Sequence, residues 1–161
     1  MKKGKLNNKL IEKLSTDFLK DNGSNKCFYC NANTECRDHL IPAFYFDIRR
    51  KQGLLVVDAC KICNSLAGDY VPSSCYDKKD WIKERFFQKY NHLLLQSDWN
   101  EEDINELEGS LKAYIHGGEM AKNELRIRYN NLCTLCFYGR DSENVKSFDY
   151  KIVSILTGSL E

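Results

Sequence analysis

The chain has 161 residues, 42% of them hydrophobic, which is the size of one ordinary domain and enough to bury a core without disulfides. Its 24 Lys and Arg against 23 Asp and Glu leave a formal charge of +1, so any attraction to nucleic acid must come from local basic clusters. The lysine-bearing start, MKKGKLNNKLIEKL, lacks the apolar run of a signal peptide, and no later stretch approaches a membrane span; the expectation is a cytoplasmic protein with no membrane partner. In that reducing setting eight cysteines are expected as metal ligands and buried thiols.

Asn7 to Lys20 sets Leu10, Ile11, Leu14 and Phe18 on one helical face, and Asn22-Gly23 supplies a stop. Next comes CFYC, the pair Cys27 and Cys30. A first strand is expected over Arg37 to Pro42 and a second over Leu54 to Val57, joined by Ala43 to Gly53. That connection mixes Phe44, Tyr45 and Phe46 with Arg49, Arg50 and Lys51, a composition suited to nucleic-acid contacts and equally to a core edge with a soluble loop. The second pair, Cys60 and Cys63, runs directly into Asn64, where a short helix should open, and Asp69 to Ser74 reads as an exit turn.

Beyond Ser74 the pattern turns helical. Trp81, Ile82, Arg85, Phe86, Tyr90, Leu93 and Leu94 follow one helix face. Asn100 should cap a further helix with Ile104, Leu107, Leu111, Tyr114 and Ile115 buried, ended by Gly117-Gly118, so His116 would lie at its terminus. A third helix from about Glu119 aligns Leu125, Tyr129, Leu132, Cys133 and Cys136, which makes the last two buried thiols. Phe148 to Leu156 alternates weakly, as a strand would, although a short helix fits nearly as well. No linker interrupts the chain, so a single domain over 1–161 is expected, with a cysteine motif at about 24–72, a helical extension at about 77–137 and a tail at 138–161.

Two Cys-x-x-Cys knuckles complete a four-thiolate site of the closed, structural kind, so Cys27, Cys30, Cys60 and Cys63 are the expected ligands of one zinc. Between and beside them stand Asp38, His39 and Asn64. A histidine with an ordinary pKa of about 6.5 can take a proton from water, and Asp and Asn oxygens suit a hard ion such as Mg²⁺ or Mn²⁺. Adjacent strand residues point to opposite faces, so Asp38-His39 should lie where the strand bends or ends. Arg37 and Lys61 flank these positions as candidate phosphate contacts.

The ordered set of a cysteine pair, Asp-His-x-x-Pro, and a second pair running into Asn-x-x-x-Gly-Asp resembles the HNH endonucleases of the ββα-metal superfamily. The resemblance implies an α+β protein in which Asp38 and Asn64 hold one catalytic divalent ion and His39 is the general base for hydrolysing DNA. It implies a free-standing enzyme of the type common in bacteriophages and mobile elements. A junction-resolving endonuclease, dimeric in that family, is a more specific variant, and a zinc-stabilised binding or assembly module without turnover is the alternative. Many members carry an Asn on the second strand that braces the histidine loop; here that region reads Gly53-Leu54-Leu55-Val56-Val57.

Overall fold

The computed structural model describes residues 25–42, 55–139 and 142–157. The helix expected over 7–20 and the connection carrying Arg49, Arg50 and Lys51 lie outside the described residues. The architecture is mixed α+β. Strands β1 (Cys36–His39) and β2 (Val56–Ala59) form a two-stranded antiparallel sheet with Cys36 opposite Ala59 and His39 opposite Val56. Among the described residues five helices follow: α1 (Lys61–Ala67), α2 (Cys75–Leu94), α3 (Glu101–Glu106), α4 (Gly109–Cys133) and α5 (Ser142–Thr157).

The second strand begins two residues later than its apolar run suggests. Leu55 has φ +46°, a left-handed backbone that costs a non-glycine residue about 1–2 kcal/mol, and its carbonyl accepts the Leu40 amide at 2.7 Å. That bond closes the sheet at the loop end, and regular pairing starts beyond it.

Helix α2 is the central support. Ser74 caps it by accepting the Asp77 amide at 3.0 Å, while Asp77 accepts from the Tyr70 hydroxyl at 2.7 Å and the Ser73 amide at 2.7 Å. Its face carries Ile82 and Phe86, both fully buried, into the same core as Phe28, Tyr29, Leu40, Ile41 and Leu132. Helix α4 runs back along α2: Phe86 lies over Tyr129 at 6.1 Å, and the Arg126 guanidinium reaches the Leu94 carbonyl at 3.4 Å. Lys122 and Arg126 then fasten the intervening turn, meeting Asp98 at 2.9 and 2.5 Å.

The tail is a helix. Val145, Phe148, Ile152 and Ile155 are buried at spacings of three and four, the period of a helix face, and the Asp149 carboxylate accepts the Cys75 amide at the start of α2 at 2.6 Å.

Three expectations about the helical segment are corrected. The break falls at Leu107 and Glu108, both extended, with Gly109 at φ +59°, rather than at Gly117-Gly118. Helix α4 runs straight through those two glycines, so His116 sits within a helix rather than at its end. The supposed buried face is largely open, with Leu111 54% and Tyr114 78% exposed, because only the second half of α4 meets the core. Cys133 and Cys136 are exposed as well, Cys133 as the last residue of α4 and Cys136 beyond its end.

Neither Gly117 nor Gly118 has any atom within 4 Å of where a Cβ would stand. Gly117→Ala and Gly118→Ala should each therefore raise stability by about 0.5–1 kcal/mol, read as a higher denaturant midpoint at unchanged slope. A loss of stability in both would mean that the helix does not continue through the pair.

Candidate metal centre and neighbouring polar site

The first knuckle is a tight loop. Cys27 donates its amide to the Ala32 carbonyl at 2.7 Å, the Asn31 amide returns to Cys27 at 3.0 Å, and Asn31 takes φ +61°, which Asn tolerates better than most residues. The second knuckle is the start of α1: Cys60 occupies the cap position, its sulfur accepting the Cys63 amide at 3.4 Å. The Phe28 amide donates to the Asp58 carbonyl at 2.8 Å and so ties one knuckle to the strand that leads into the other.

Together they bring the sulfurs of Cys27, Cys30, Cys60 and Cys63, all buried, within 4.8 Å of one another. Tetrahedral zinc with Zn–S bonds of about 2.3 Å requires sulfurs about 3.8 Å apart, and Cys30 and Cys60 stand 3.7 Å apart. The four cysteines are placed to bind a structural metal such as zinc. Thiols packed this closely share protons unequally: hydrogen bonds from Cys27, then Cys30 and Cys63, hold Cys60 far below the usual thiol range, while hydrogen bonding with Cys27 pushes Cys30 and Cys63 up. All four can be thiolates only around a cation. Helix α4 supports the site from outside, with the Arg128 guanidinium 3.7 Å from the Cys60 sulfur and the Asn131 amide donating to the Cys30 carbonyl at 3.0 Å.

Asp38 and His39 are the last two residues of β1, at the strand end where the pair was expected. Strand alternation gives Cys36 and Asp38 one face and Arg37 and His39 the other. Asp38 is 5% exposed and enters the core. Its Oδ2 accepts the Tyr29 hydroxyl at 2.5 Å and pairs with Lys78 Nζ of α2 at 2.9 Å. The Lys78 ammonium, itself fully buried, also donates to the main-chain carbonyls of His39 and Leu40. Burial pulls Lys78 below its ordinary pKa against the opposing pull of Asp38, and burial first, then Asp38, pushes Tyr29 well up.

His39 is half-buried, and that burial is the first cause lowering its pKa below 6.5, so the imidazole is neutral at neutral pH. Asn64 is one residue past the last cysteine; burial raises the Cys36 thiol above its ordinary pKa, and Asn64 opposes that rise. A divalent ion shared by Asp38 and Asn64 would have to compete with Lys78 at Asp38 Oδ2, and the neutral Asn64 adds no negative charge to hold it.

Arg37 and Lys61 are solvent-facing and weakly paired, Arg37 with Asp58 at 3.9 Å and Lys61 with Glu35 at 3.6 Å. Both are free to swing toward a phosphate, since exposed pairs of this kind contribute little. Sequence reasoning missed Tyr29, Lys78 and Arg128. Lys78 and Lys79 look like an ordinary charged helix turn, and only their burial distinguishes them. Comparison with protein-family models, curated proteins and solved structures finds no match for this chain.

The purified protein should carry about one zinc per chain by metal analysis, and Cys60→Ser should lose both metal and cooperative unfolding, because structural zinc binding is coupled to folding. For the ion pair, Lys78→Met should cost about 3–5 kcal/mol by leaving Asp38 buried and alone, and adding Asp38→Asn should restore part of that. If the double variant is no more stable than Lys78→Met, the two residues do not act as a pair.

Proposed function

We propose that this chain is a zinc-stabilised endonuclease of HNH type that hydrolyses DNA phosphodiester bonds with His39 as general base. The observation that carries the proposal is the placement of a half-buried imidazole, its pKa lowered by burial, as the last residue of β1 in a hairpin whose other end is held by a four-cysteine clamp. A buried cation anchors the backbone at and just after the imidazole, since Lys78 binds both the His39 and the Leu40 carbonyl. A base must be neutral to accept a proton and fixed to aim at the attacking water, and these contacts favour both. On this reading Lys78 would brace the His39 segment from α2, as a second-strand Asn does in the resembled family.

The order and spacing of Asp38-His39, the two knuckles and Asn64 support the HNH assignment, and the β1–β2–α1 succession suits a ββα site. Arg37 and Lys61 would contact the DNA backbone. Branched DNA is a substrate to test alongside plasmid, because the same order of motifs suits a junction-resolving enzyme. The resemblance implies Mg²⁺ or Mn²⁺ as catalytic cofactor; with Lys78 at the Asp38 carboxylate, an EDTA arm of the assay reads whether activity needs a divalent ion as well.

A second function has a specific observation behind it. The Tyr29–Asp38–Lys78 network is what a binding or assembly module without turnover would keep, since it ties the first knuckle to α2 through Asp38 Oδ2.

Nicking of supercoiled plasmid by wild type and near-complete loss in His39→Ala, with zinc content and DNA affinity unchanged, is the expected result. Full activity in His39→Ala would sink the mechanism, and no cleavage of plasmid, branched or single-stranded DNA by wild type in any divalent ion would favour the binding module.

The pH profile adds a second check. Because burial depresses the His39 pKa, protonation is resisted in the folded state, and the acidic limb of kcat/KM should lie below pH 6.5. The same shift makes the His39 contribution to stability complete above the unfolded value near 6.5 and lost as pH falls through the lower folded value. An acidic limb above 6.5 would assign the base elsewhere.

A further inference from the structure

A third Cys-x-x-Cys is not part of the four-cysteine cluster, and its setting differs from that of the four clustered cysteines. Cys133 and Cys136 are both exposed, whereas Cys27, Cys30, Cys60 and Cys63 are all buried. Residues three apart on an uninterrupted helix keep their Cβ atoms about 5–6 Å apart, more than the 3.5–4.5 Å or so that a disulfide spans. Here the helix stops between the two. Thr134 is extended at φ −80°, ψ 160°, and its hydroxyl donates to the Asn131 carbonyl at 2.8 Å while accepting the Cys136 amide at 3.4 Å. The hydroxyl therefore gathers the chain into a bend and releases the torsions that a helix would fix.

The far side of the bend is pinned. Lys79, buried in α2, donates to the Cys136 carbonyl at 2.5 Å and lies against the Phe137 and Tyr138 rings at 5.2 and 5.6 Å. Burial lowers the Lys79 pKa, and the thiols of Cys136, Cys30, Cys63 and Cys133 oppose that shift, so this buried cation is electrostatically coupled to cysteines of both groups. Phe137 stacks on Phe28 of the first knuckle at 4.6 Å, and the Tyr138 amide donates to the Phe28 carbonyl at 3.0 Å.

We propose that Cys133 and Cys136 form a solvent-facing dithiol site that exchanges with low-molecular-weight disulfides of the glutathione class and closes to an intramolecular disulfide, while the clustered cysteines stay reduced. Cys133 as thiolate attacks one sulfur of the small disulfide and expels one small thiolate, leaving a mixed disulfide on Cys133. Cys136 as thiolate then attacks the Cys133 sulfur and expels the second. Two electrons pass from the protein dithiol to the small disulfide, and the two thiol protons end on the two released thiols. Selectivity comes from access, because the knuckle sulfurs are buried and, with metal bound, already engaged. The site is independent of the nuclease proposal and requires no DNA.

The test treats the full, zinc-loaded chain with oxidised glutathione at neutral pH, followed by acid quench, intact mass, peptide mapping and metal analysis. The expected product has lost two hydrogens, localised to the peptide containing Cys133 and Cys136, with zinc retained and no other cysteine oxidised. Cys136→Ser, a surface change, should instead hold one glutathione on Cys133. Three results would overturn the proposal: stable glutathione adducts on both cysteines of wild type, oxidation that begins at the clustered cysteines with loss of zinc, or an unmodified Cys133 in the variant.

Discussion

Four sulfurs held within 4.8 Å of one another impose the constraint on which the remaining structure rests. The two knuckles are separated by the whole β1–loop–β2 excursion, so closing the cluster fixes both ends of the hairpin at once. The strands are only four residues each and form a two-stranded sheet, which is marginal on its own in water. What keeps the sheet is the clamp at its base and the helices against it. The clamp in turn depends on α4, whose Arg128 and Asn131 address Cys60 and the Cys30 carbonyl.

The Asp38–Lys78 pair illustrates how a polar site is built from the interior. A carboxylate and an ammonium buried together gain little net stability, because desolvation opposes their attraction, but removing one is expensive. Such a pair specifies position: it ties α2 to the end of β1 and holds the carbonyls of His39 and Leu40. Tyr29, from the first knuckle, completes the arrangement by donating to the same oxygen. Clamp, core helix and imidazole are thereby one mechanical unit.

The helices divide into two regions. Near the clamp, α2, α4 and α5 share a core of Phe28, Ile82, Phe86, Leu132 and Ile152. Farther along, the first half of α4 leaves Leu111, Tyr114 and Met120 exposed, and the α2–α3 turn is held by the ion pairs of Asp98 with Lys122 and Arg126 rather than by apolar burial. The exposed dithiol at the end of α4 belongs to the first region by contact, through Phe137 and Tyr138, and to the surface by accessibility.

The sequence alone determined the features that depend on local spacing. Each Cys-x-x-Cys is legible as a segment offering two sulfurs, whereas packing decides that the first two pairs meet and the third, with the same spacing, does not. Asn100 as a cap and the face of Ile82 and Phe86 were legible too, being set by helix periodicity within a few turns. Tertiary structure decided whatever depends on what lies opposite. Lys78 and Lys79 read as solvated until α2 packs on β1 and on the 136–138 segment, and only then does burial make them structural cations. Leu111 and Tyr114 read as core because periodicity reports an apolar face without reporting whether anything covers it. Gly117-Gly118 read as a stop, but a helix pays only about 1 kcal/mol per exposed glycine and continues when its flanks are helical. Asp38 is the clearest case: its residue type permits a metal ligand or a partner for lysine, and the nearness of Lys78, forty residues on, is a fact of packing that no local pattern encodes.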